Sequence, residues 1–285
     1  MLKRKNKQLD YNGEMPTNRG KLTSKLLIFT PTTGLVRMEW VRARYGQIIP
    51  TNWSNVEMHQ WLSAYMPLNY QLADAQNLMA KYVVENDFDW IVYIEQDNVL
   101  PPDGFIRFNE YMLDGTIPVV SGLYFTKSNP PEPLIFRGRG TSHFEGWKVN
   151  DRVWCDGMPF GFRLEHASLI KEAWKTSPEY RVADVVTRRV FDSSPAYWFD
   201  PDRGMIASTR GTTDLIWCTR LIDEKILEKA GWAEIQKLQY PFLVDTKIYA
   251  KHIDLNTGAI YPDFVGGIPQ KFISSEANYK GIEIK

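Results

Sequence analysis

The feature that most constrains this chain is a short uncharged strand that ends in two carboxylates. Residues 90–94 are all β-branched or aromatic, which is typical of a buried strand. Glu95 and Asp97 follow two residues apart, and Pro101 and Pro102 then interrupt any regular element. The carboxyl ends of buried parallel strands form the edge at which open α/β sheets bind ligands. This stretch therefore predicts a ligand site at Glu95 and Asp97.

Strand and helix patterns alternate along the chain on both sides of that strand. An apolar run at 26–29 predicts a first strand, and a helical period over 72–84 predicts a helix leading into the acid-bearing strand. The clearest helix begins at 212–214 and has Gly231 as its stop, whereas 192–213 shows no period and is expected to be irregular. The alternation predicts an α/β fold with a mixed, mostly parallel sheet flanked by helices.

Length and composition bound the class of protein. The chain has 285 residues, of which 44% are hydrophobic, so it can bury a sizeable core. The formal net charge of +0 argues against a protein built mainly on attraction to nucleic-acid phosphates. No apolar run reaches the ~20 residues of a membrane span, and the start of the chain lacks the apolar core of a signal peptide. We therefore expect a soluble, cytoplasmic protein.

The chain divides into an arm and one larger unit. Residues 1–22 are polar and basic near their start, which predicts a flexible basic N-terminal arm. Such an arm could touch a nucleic acid or a membrane, although a solvated terminus is the simpler reading. Residues 23–285 show no repeats and no linker and are expected to form a single domain. Cys155 and Cys218 are far apart and typical of free thiols, although counting alone leaves a disulfide open.

Asp97 and His252 are the candidate ligands of a hard divalent cation. Mg²⁺ and Mn²⁺ prefer oxygen ligands, and a metal bound together with a diphosphate takes only one or two from protein carboxylates. Asp97 at a strand end can supply one of them. His252 lies just past the final recognisable strand, from which it can approach Asp97 and supply a single nitrogen ligand. A lone histidine in such a position is more often structural, so that alternative stays open.

Asp214 and an aromatic pair are the remaining candidates. Asp214 stands where a helix begins, a position at which the helix dipole favours an acid, but it could equally be a general base for an acceptor hydroxyl. The pattern does not separate these interpretations. Trp198 and Phe199 lie in the stretch without period, where aromatic faces either stack on sugars and bases or close a loop over the core.

Taken in order, these pieces resemble a GT-A-type glycosyltransferase of the inverting, family-two-like group. The resemblance covers roughly residues 25–254. Its landmarks are Phe29-Thr-Pro-Thr32, Asp74-Ala-Gln-Asn77, Tyr93-Ile-Glu-Gln-Asp97 with Pro101-Pro102, Val120-Ser-Gly-Leu-Tyr124, Gly157-Met-Pro-Phe-Gly161, Trp198-Phe199, Thr213-Asp214-Leu-Ile-Trp-Cys218, and Asp245 through His252. The series, rather than any one landmark, carries the likeness.

The resemblance implies a Rossmann-like GT-A sheet and a transferase that uses a nucleotide-sugar donor. Donor contacts would come from Thr30, Pro31, Thr32, Asp74, Asn77, Glu95 and Gln96, and acceptor or sugar contacts from Gly161, Trp198 and Phe199. A Mn²⁺ or Mg²⁺ ion would bind Asp97 and His252, and Asp214 would be the catalytic base. The hydroxyl acceptor is left open among a glycan, a protein and a modified nucleic acid base. Nothing implies a membrane or an obligate protein partner.

Three departures from the family pattern keep other functions open. Glu95 replaces the first acid of the usual Asp-x-Asp motif, Asp214 has no second acid beside it, and Gln76 stands where many relatives have arginine. A sugar-1-phosphate nucleotidyltransferase would need a glycine-rich basic loop after the first strand, where this chain has Gly34 and then Arg37. A non-catalytic carbohydrate- or nucleic-acid-binding protein on the same fold is the other alternative.

Overall fold

A computed structural model describes residues 25–51, 65–138, 143–193, 195–210, 212–262 and 267–273. The predicted basic arm at 1–22 lies outside these ranges. None of the helices within them combines the length and the apolar character needed to cross a membrane.

Short strands and helices alternate through the described ranges. The strands are β1 (Leu26–Phe29), β2 (Trp90–Ile94), β3 (Asn98–Val99), β4 (Val119–Leu123), β5 (Arg152–Cys155), β6 (Phe162–His166), β7 (Glu179–Val182), β8 (Val185–Arg188), β9 (Pro195–Asp200), β10 (Met205–Arg210), β11 (Phe242–Tyr249), β12 (Lys251–Ile253) and β13 (Ile260–Tyr261). The helices are α1 (Met38–Tyr45), α2 (Leu72–Asn86), α3 (Gly104–Asp114), α4 (Ser168–Thr176), α5 (Thr213–Asp223), α6 (Ile226–Lys229) and α7 (Ala233–Gln236), with a 3₁₀ turn at Gln270–Phe272.

The central sheet has six strands in the order β1-β2-β6-β4-β11-β5. β1, β2, β4 and β11 run in one direction, whereas β5 and β6 run against them. The predicted α/β fold with a mixed, mostly parallel sheet is therefore confirmed. The strand β6, which was not predicted, lies between β2 and β4 and brings their carboxyl ends to the same edge.

Two apolar layers cover the sheet because its strands alternate their side chains between the faces. On one face Ile91 and Tyr93 pack in a cluster that includes Met79 of α2 and Trp217 of α5. On the other face the remaining apolar side chains of β2 pack with residues of α1 and α3, among them Trp40. Each large side chain buried in these layers contributes roughly 1.5–3 kcal/mol.

Two sequence predictions in the second half of the chain were wrong. Residues 192–213 are not irregular, because β9 and β10 pair there as an antiparallel hairpin with Met205 opposite Asp200. Phe199 and Ile206, which pair across the hairpin, are 63% and 74% exposed, so this pair shows no buried face of the kind that produces a period of two. The helix that begins at Thr213 does not continue to Gly231, because it ends at Asp223 and Lys225 has a left-handed φ of 53°.

Candidate functional site

The candidate site lies where the carboxyl ends of β2, β4 and β11 meet the start of β6. The backbone N–H of Glu95, just after β2, donates to the carbonyl oxygen of Gly161, just before β6, at 3.0 Å. The indole N–H of Trp40 donates to the Glu95 carbonyl oxygen at 2.9 Å. The end of β2 is thus held from two sides, and its acids lie at the edge that the sequence predicted.

A second, small sheet brings Asp97 and His252 to adjacent positions. β3 and β12 pair antiparallel with Asn98 opposite His252, and the N–H of Ile253 donates to the Asp97 carbonyl oxygen at 2.8 Å. The Nδ1–H of His252 donates to the carbonyl oxygen of Phe125 at 2.6 Å. Burial lowers the pKa of His252, against the opposing effect of the Asp97 charge. The imidazole is therefore held neutral, with Nε2 as the nitrogen suited to a metal.

Glu95 connects the acids of the site electrostatically. Burial raises its pKa well above the usual range, the charges of Asp97 and Asp214 raise it further, and Lys127 opposes them. In the described ranges no donor forms a hydrogen bond with its side chain. Burial and the two neighbouring carboxylates thus favour the protonated, neutral form of Glu95.

Asp214 lies in the first turn of α5. Its Oδ1 accepts a hydrogen bond from the N–H of Leu215 at 2.9 Å, so the helix-start interpretation has a structural basis. Burial nevertheless raises the pKa of Asp214, whereas the charge of Arg163 opposes that shift. A partly buried carboxylate with a raised pKa is suited to accept a proton near neutral pH. Both interpretations of Asp214 therefore agree with the structure.

Gln96 joins the acid-bearing turn to the loop after β1. Its Oε1 accepts hydrogen bonds from the Thr32 hydroxyl and the Thr33 N–H, each at 2.8 Å. Thr30 is fully buried and Pro31 is partly buried in the same loop. The predicted donor loop and the predicted donor residue Gln96 are thus in direct contact.

The two predicted donor residues of α2 have partners elsewhere. The hydroxyl of Tyr180 donates to Oδ1 of Asp74 at 3.0 Å and accepts from Nδ2 of Asn77 at 2.8 Å. Asn77 is 1% exposed and also exchanges hydrogen bonds with the backbone of Phe191 at 2.8 and 2.9 Å. The Asn77 amide is occupied by contacts that fix α2 to later segments. No described contact joins this amide to the carboxylates of Glu95, Asp97 and Asp214.

The three predicted acceptor or sugar contacts lie in different surroundings. Gly161 is buried, and a Cβ there would lie 2.3 Å from both Asn98 Nδ2 and Tyr124 Oη, so close packing accounts for the glycine. Trp198 and Phe199 lie on β9, opposite Ala207 and Ile206 of β10. Phe199 projects into solvent on the hairpin that leads into the helix of Asp214.

Lys127 is a site residue that the sequence patterns did not indicate. Its Nζ forms an ion pair with Oδ2 of Asp97. It follows β4 by a few residues, in a segment with no periodic pattern. Its position just beyond a central strand was the one available signal.

The metal-ligand atoms that the site offers suit a cation that takes only a few ligands from the protein. Among the residues that the structure describes, no three His, Cys, Asp or Glu side chains form a group able to hold a metal by themselves. Asp97 offers carboxylate oxygen and His252 a neutral imidazole, and the carboxyl group of Glu95 lies close enough to interact with Asp97. Mn²⁺ and Mg²⁺ bound with a diphosphate need only one or two such side chains. The residues therefore suit either ion, with the remaining ligands supplied by phosphate and water.

Comparison with known proteins finds similarity in structure only. No protein-family model and no curated protein matches the sequence. The crystal structure of A197 from STIV is similar over 81% of this chain and 87% of that one, with 13% identity and a TM-score of 0.45. S. aureus TarS is similar over 54% of this chain and 30% of that one, with 7% identity and a TM-score of 0.33. A CMP:2-keto-3-deoxy-manno-octonic acid synthetase complexed with CTP is similar over 78% and 89%, with 10% identity and a TM-score of 0.26. Similarities this weak assign no activity to the chain.

Proposed function

We propose that this chain is a metal-dependent glycosyltransferase that moves a sugar from a nucleotide-sugar donor to a hydroxyl acceptor with inversion. The observation that supports the proposal most is the position of Asp97 beside His252 at one edge of the sheet, with Glu95 and Asp214 close enough for their charges to interact. Three carboxylates so placed need a cation or a proton, and an inverting transfer uses both. The β2 end would then be the centre of the site.

Asp97 and His252 would hold Mn²⁺ or Mg²⁺. When bound, the cation would stabilise the charge of the departing nucleotide diphosphate. The Phe125 carbonyl oxygen orients His252, and the β3–β12 pairing holds it beside Asp97. The loop of Thr32, which is hydrogen-bonded to Gln96, would line the side of the site that binds the nucleotide-sugar donor.

Asp214 would act as the general base. The acceptor oxygen forms a bond to the anomeric carbon while the bond from that carbon to the phosphate oxygen breaks. The hydroxyl proton passes to the Asp214 carboxylate, and the diphosphate leaves with the bonding electrons. Attack opposite the leaving group inverts the configuration. The raised pKa of Asp214 supports this role, because a base is most effective when its pKa lies near the working pH.

The β9–β10 hairpin is the surface that best suits the acceptor. Phe199 is exposed on it, and α5 with Asp214 begins just after β10. An exposed aromatic face can stack on a sugar ring or a base. Of the acceptor classes considered from the sequence, a glycan and a modified nucleic acid base present such a ring, whereas a protein presents only its hydroxyl side chains.

Thermal unfolding with nucleoside diphosphates, with and without Mn²⁺, tests the donor site. A ligand at about 100 times its dissociation constant stabilises the folded state by about 2.7 kcal/mol. We expect one nucleoside diphosphate to raise the melting temperature of the wild type only when Mn²⁺ is present. Asp97→Asn should remove that increase. Asp87→Asn is the matched control, because Asp87 also pairs with a lysine but lies just before β2.

Mass measurement of products from a donor screen tests the transfer itself. Sugar added to an acceptor with release of nucleoside diphosphate supports the proposal. Release of pyrophosphate from a nucleoside triphosphate and a sugar phosphate would instead identify a nucleotidyltransferase. Absence of stabilisation by every nucleotide would favour a binding protein on this fold.

A further inference from the structure

We propose that Lys127 is a donor-binding residue that pairs with Asp97 in the absence of donor and with the donor diphosphate once a cation binds Asp97. The proposal rests on the proposed function for the identity of its ligand. Its starting observation is the ion pair between Lys127 Nζ and Asp97 Oδ2, the carboxylate predicted to bind metal.

The backbone around Lys127 is held in place. The N–H of Thr126 donates to the Glu132 carbonyl oxygen at 2.9 Å, and the N–H of Glu132 donates to the Thr126 hydroxyl at the same distance. The hydroxyls of Thr126 and Ser128 lie 2.5 Å apart. Lys127 therefore extends from an anchored segment, while 31% of its side chain is exposed.

Lys127 also acts on the neighbours of Asp97. Its charge opposes the rise in the pKa of Glu95 and contributes to the lowered pKa of His252. Arg163 is the positive group that acts on Asp214, but it is fully buried and pairs with Glu165. Lys127 is thus a cation at this edge that solvent and a ligand can reach.

A divalent cation bound to Asp97 would weaken the ion pair between Lys127 and Asp97. A divalent cation on one carboxylate oxygen repels an ammonium on the other, so metal binding favours departure of the ammonium. A lysine is a compact charge on a flexible stem, and it readily binds phosphate oxygens. The diphosphate that arrives with the metal is the new negative group next to Asp97.

Two binding measurements on the full chain test this exchange. The first is electron paramagnetic resonance titration of Mn²⁺ into nucleotide-free protein. Lys127→Met should bind Mn²⁺ about two- to fivefold more tightly than the wild type, because a competing ion pair of typical exposed strength is gone. The second is calorimetric titration of inorganic pyrophosphate in the presence of Mn²⁺. There Lys127→Met should bind about tenfold more weakly, because a charge-assisted contact to phosphate is lost.

Two further variants serve as controls. Lys127→Arg keeps the positive charge and should retain most of the pyrophosphate affinity. Lys171→Met breaks the lysine–aspartate ion pair with Asp87, away from the site, and should match the wild type in both titrations. Far-UV circular dichroism of Lys127→Met checks that it folds, as expected for a side chain that is partly exposed.

The outcomes separate this proposal from the proposed function. Unchanged affinity of Lys127→Met for either Mn²⁺ or pyrophosphate overturns the role of Lys127, as does a wild type that binds no pyrophosphate. Both expected changes in a protein that transfers no sugar support Lys127 and count against the transferase. Sugar transfer by Lys127→Met with an unchanged donor KM supports the transferase and overturns the role of Lys127.

Discussion

The backbone N–H of Gly161 donates a hydrogen bond of 2.6 Å to the hydroxyl oxygen of Tyr124. The carbonyl oxygen of the same glycine accepts from the N–H of Glu95 at 3.0 Å. One residue without a side chain therefore joins the ends of β2, β4 and β6. The geometry of the carboxylate site depends on this junction, because Glu95 and Asp97 lie on the segment that it holds.

Replacing Gly161 with alanine should destabilise the protein by about 1–3 kcal/mol, the usual cost of overpacking. The new Cβ would lie 2.3 Å from Tyr124 Oη and from Asn98 Nδ2, so both groups must move. Urea unfolding measures the loss. Tyr124→Phe removes Oη, the nearer of the two Tyr124 atoms in the clash, and leaves Cζ 2.6 Å from the new Cβ, so the double variant should lose less than the sum of the single variants. Strictly additive losses would contradict the contact.

The buried ion pair of Arg163 and Glu165 should respond asymmetrically to substitution. Both side chains are fully buried, and the indole N–H of Trp217 on α5 donates to Glu165 Oε2 at 3.1 Å. Arg163→Met leaves an unpaired buried carboxylate and should cost about 3–5 kcal/mol. Combining it with Glu165→Gln should recover part of the loss, because the amide is neutral and still accepts from Trp217. Equal unfolding free energies for the single and the double variant would exclude this explanation.

That ion pair also explains why part of the fold could not be predicted from the sequence. β1 and β2 could be predicted because every residue in them is apolar and buried. β6 is equally central, but Arg163 and Glu165 interrupt its apolar pattern. The two charges are tolerated inside because they pair with each other and with Trp217, a partner about fifty residues away. A sequence pattern gives no information about such long-range compensation.

The residues of the candidate site likewise fall into those that the sequence predicted and those that it did not. The proximity of Asp97 and His252 followed from topology, since both were expected beyond strands of one sheet edge. The contact of Asp74 and Asn77 with Tyr180 did not follow from topology, because Tyr180 approaches them from a hairpin far along the chain. Lys127 was missed because its position depends on the conformation of an irregular turn. Residues that extend strands were therefore predictable, whereas residues placed by loops were not.

His166 should make the protein sensitive to acid. Burial lowers its pKa from 6.5 to about 4, with the nearby charge of Lys171 acting in the same direction and that of Asp89 opposing it. The folded state thus favours the neutral ring. The contribution of His166 to the free energy of unfolding is therefore complete above the unfolded pKa and is lost as the pH falls from 6.5 toward 4. The loss should be on the order of 2–3 kcal/mol.

Unfolding free energies measured across that range check this expectation. His166 packs between the rings of Trp90 and Trp232, at 4.7 and 5.1 Å between centroids, so His166→Gln should lower stability at neutral pH. The same variant should show a flatter dependence on pH, because it has no imidazole to protonate. A variant whose stability falls as steeply as that of the wild type would show that other groups cause the acid sensitivity.

Asp214→Asn should separate catalysis from helix stability. The asparagine oxygen can still accept the hydrogen bond from the Leu215 N–H, so stability should stay close to that of the wild type. Asp214→Ala removes that acceptor and should cost about 1 kcal/mol. If Asp214 is the base, both variants should lose about 10²–10⁴-fold in kcat, while the affinity for nucleoside diphosphate persists.

The pH dependence of the wild-type rate is a second test of Asp214 as the general base. Burial raises the pKa of Asp214, and only its ionised form can take a proton from the acceptor. The rate should therefore rise with pH through that raised pKa and then level off, and the residual rate of Asp214→Asn should lack this rise. A variant that keeps the wild-type kcat, or that loses as much stability as Asp214→Ala, would leave Asp214 as a residue of the helix start alone.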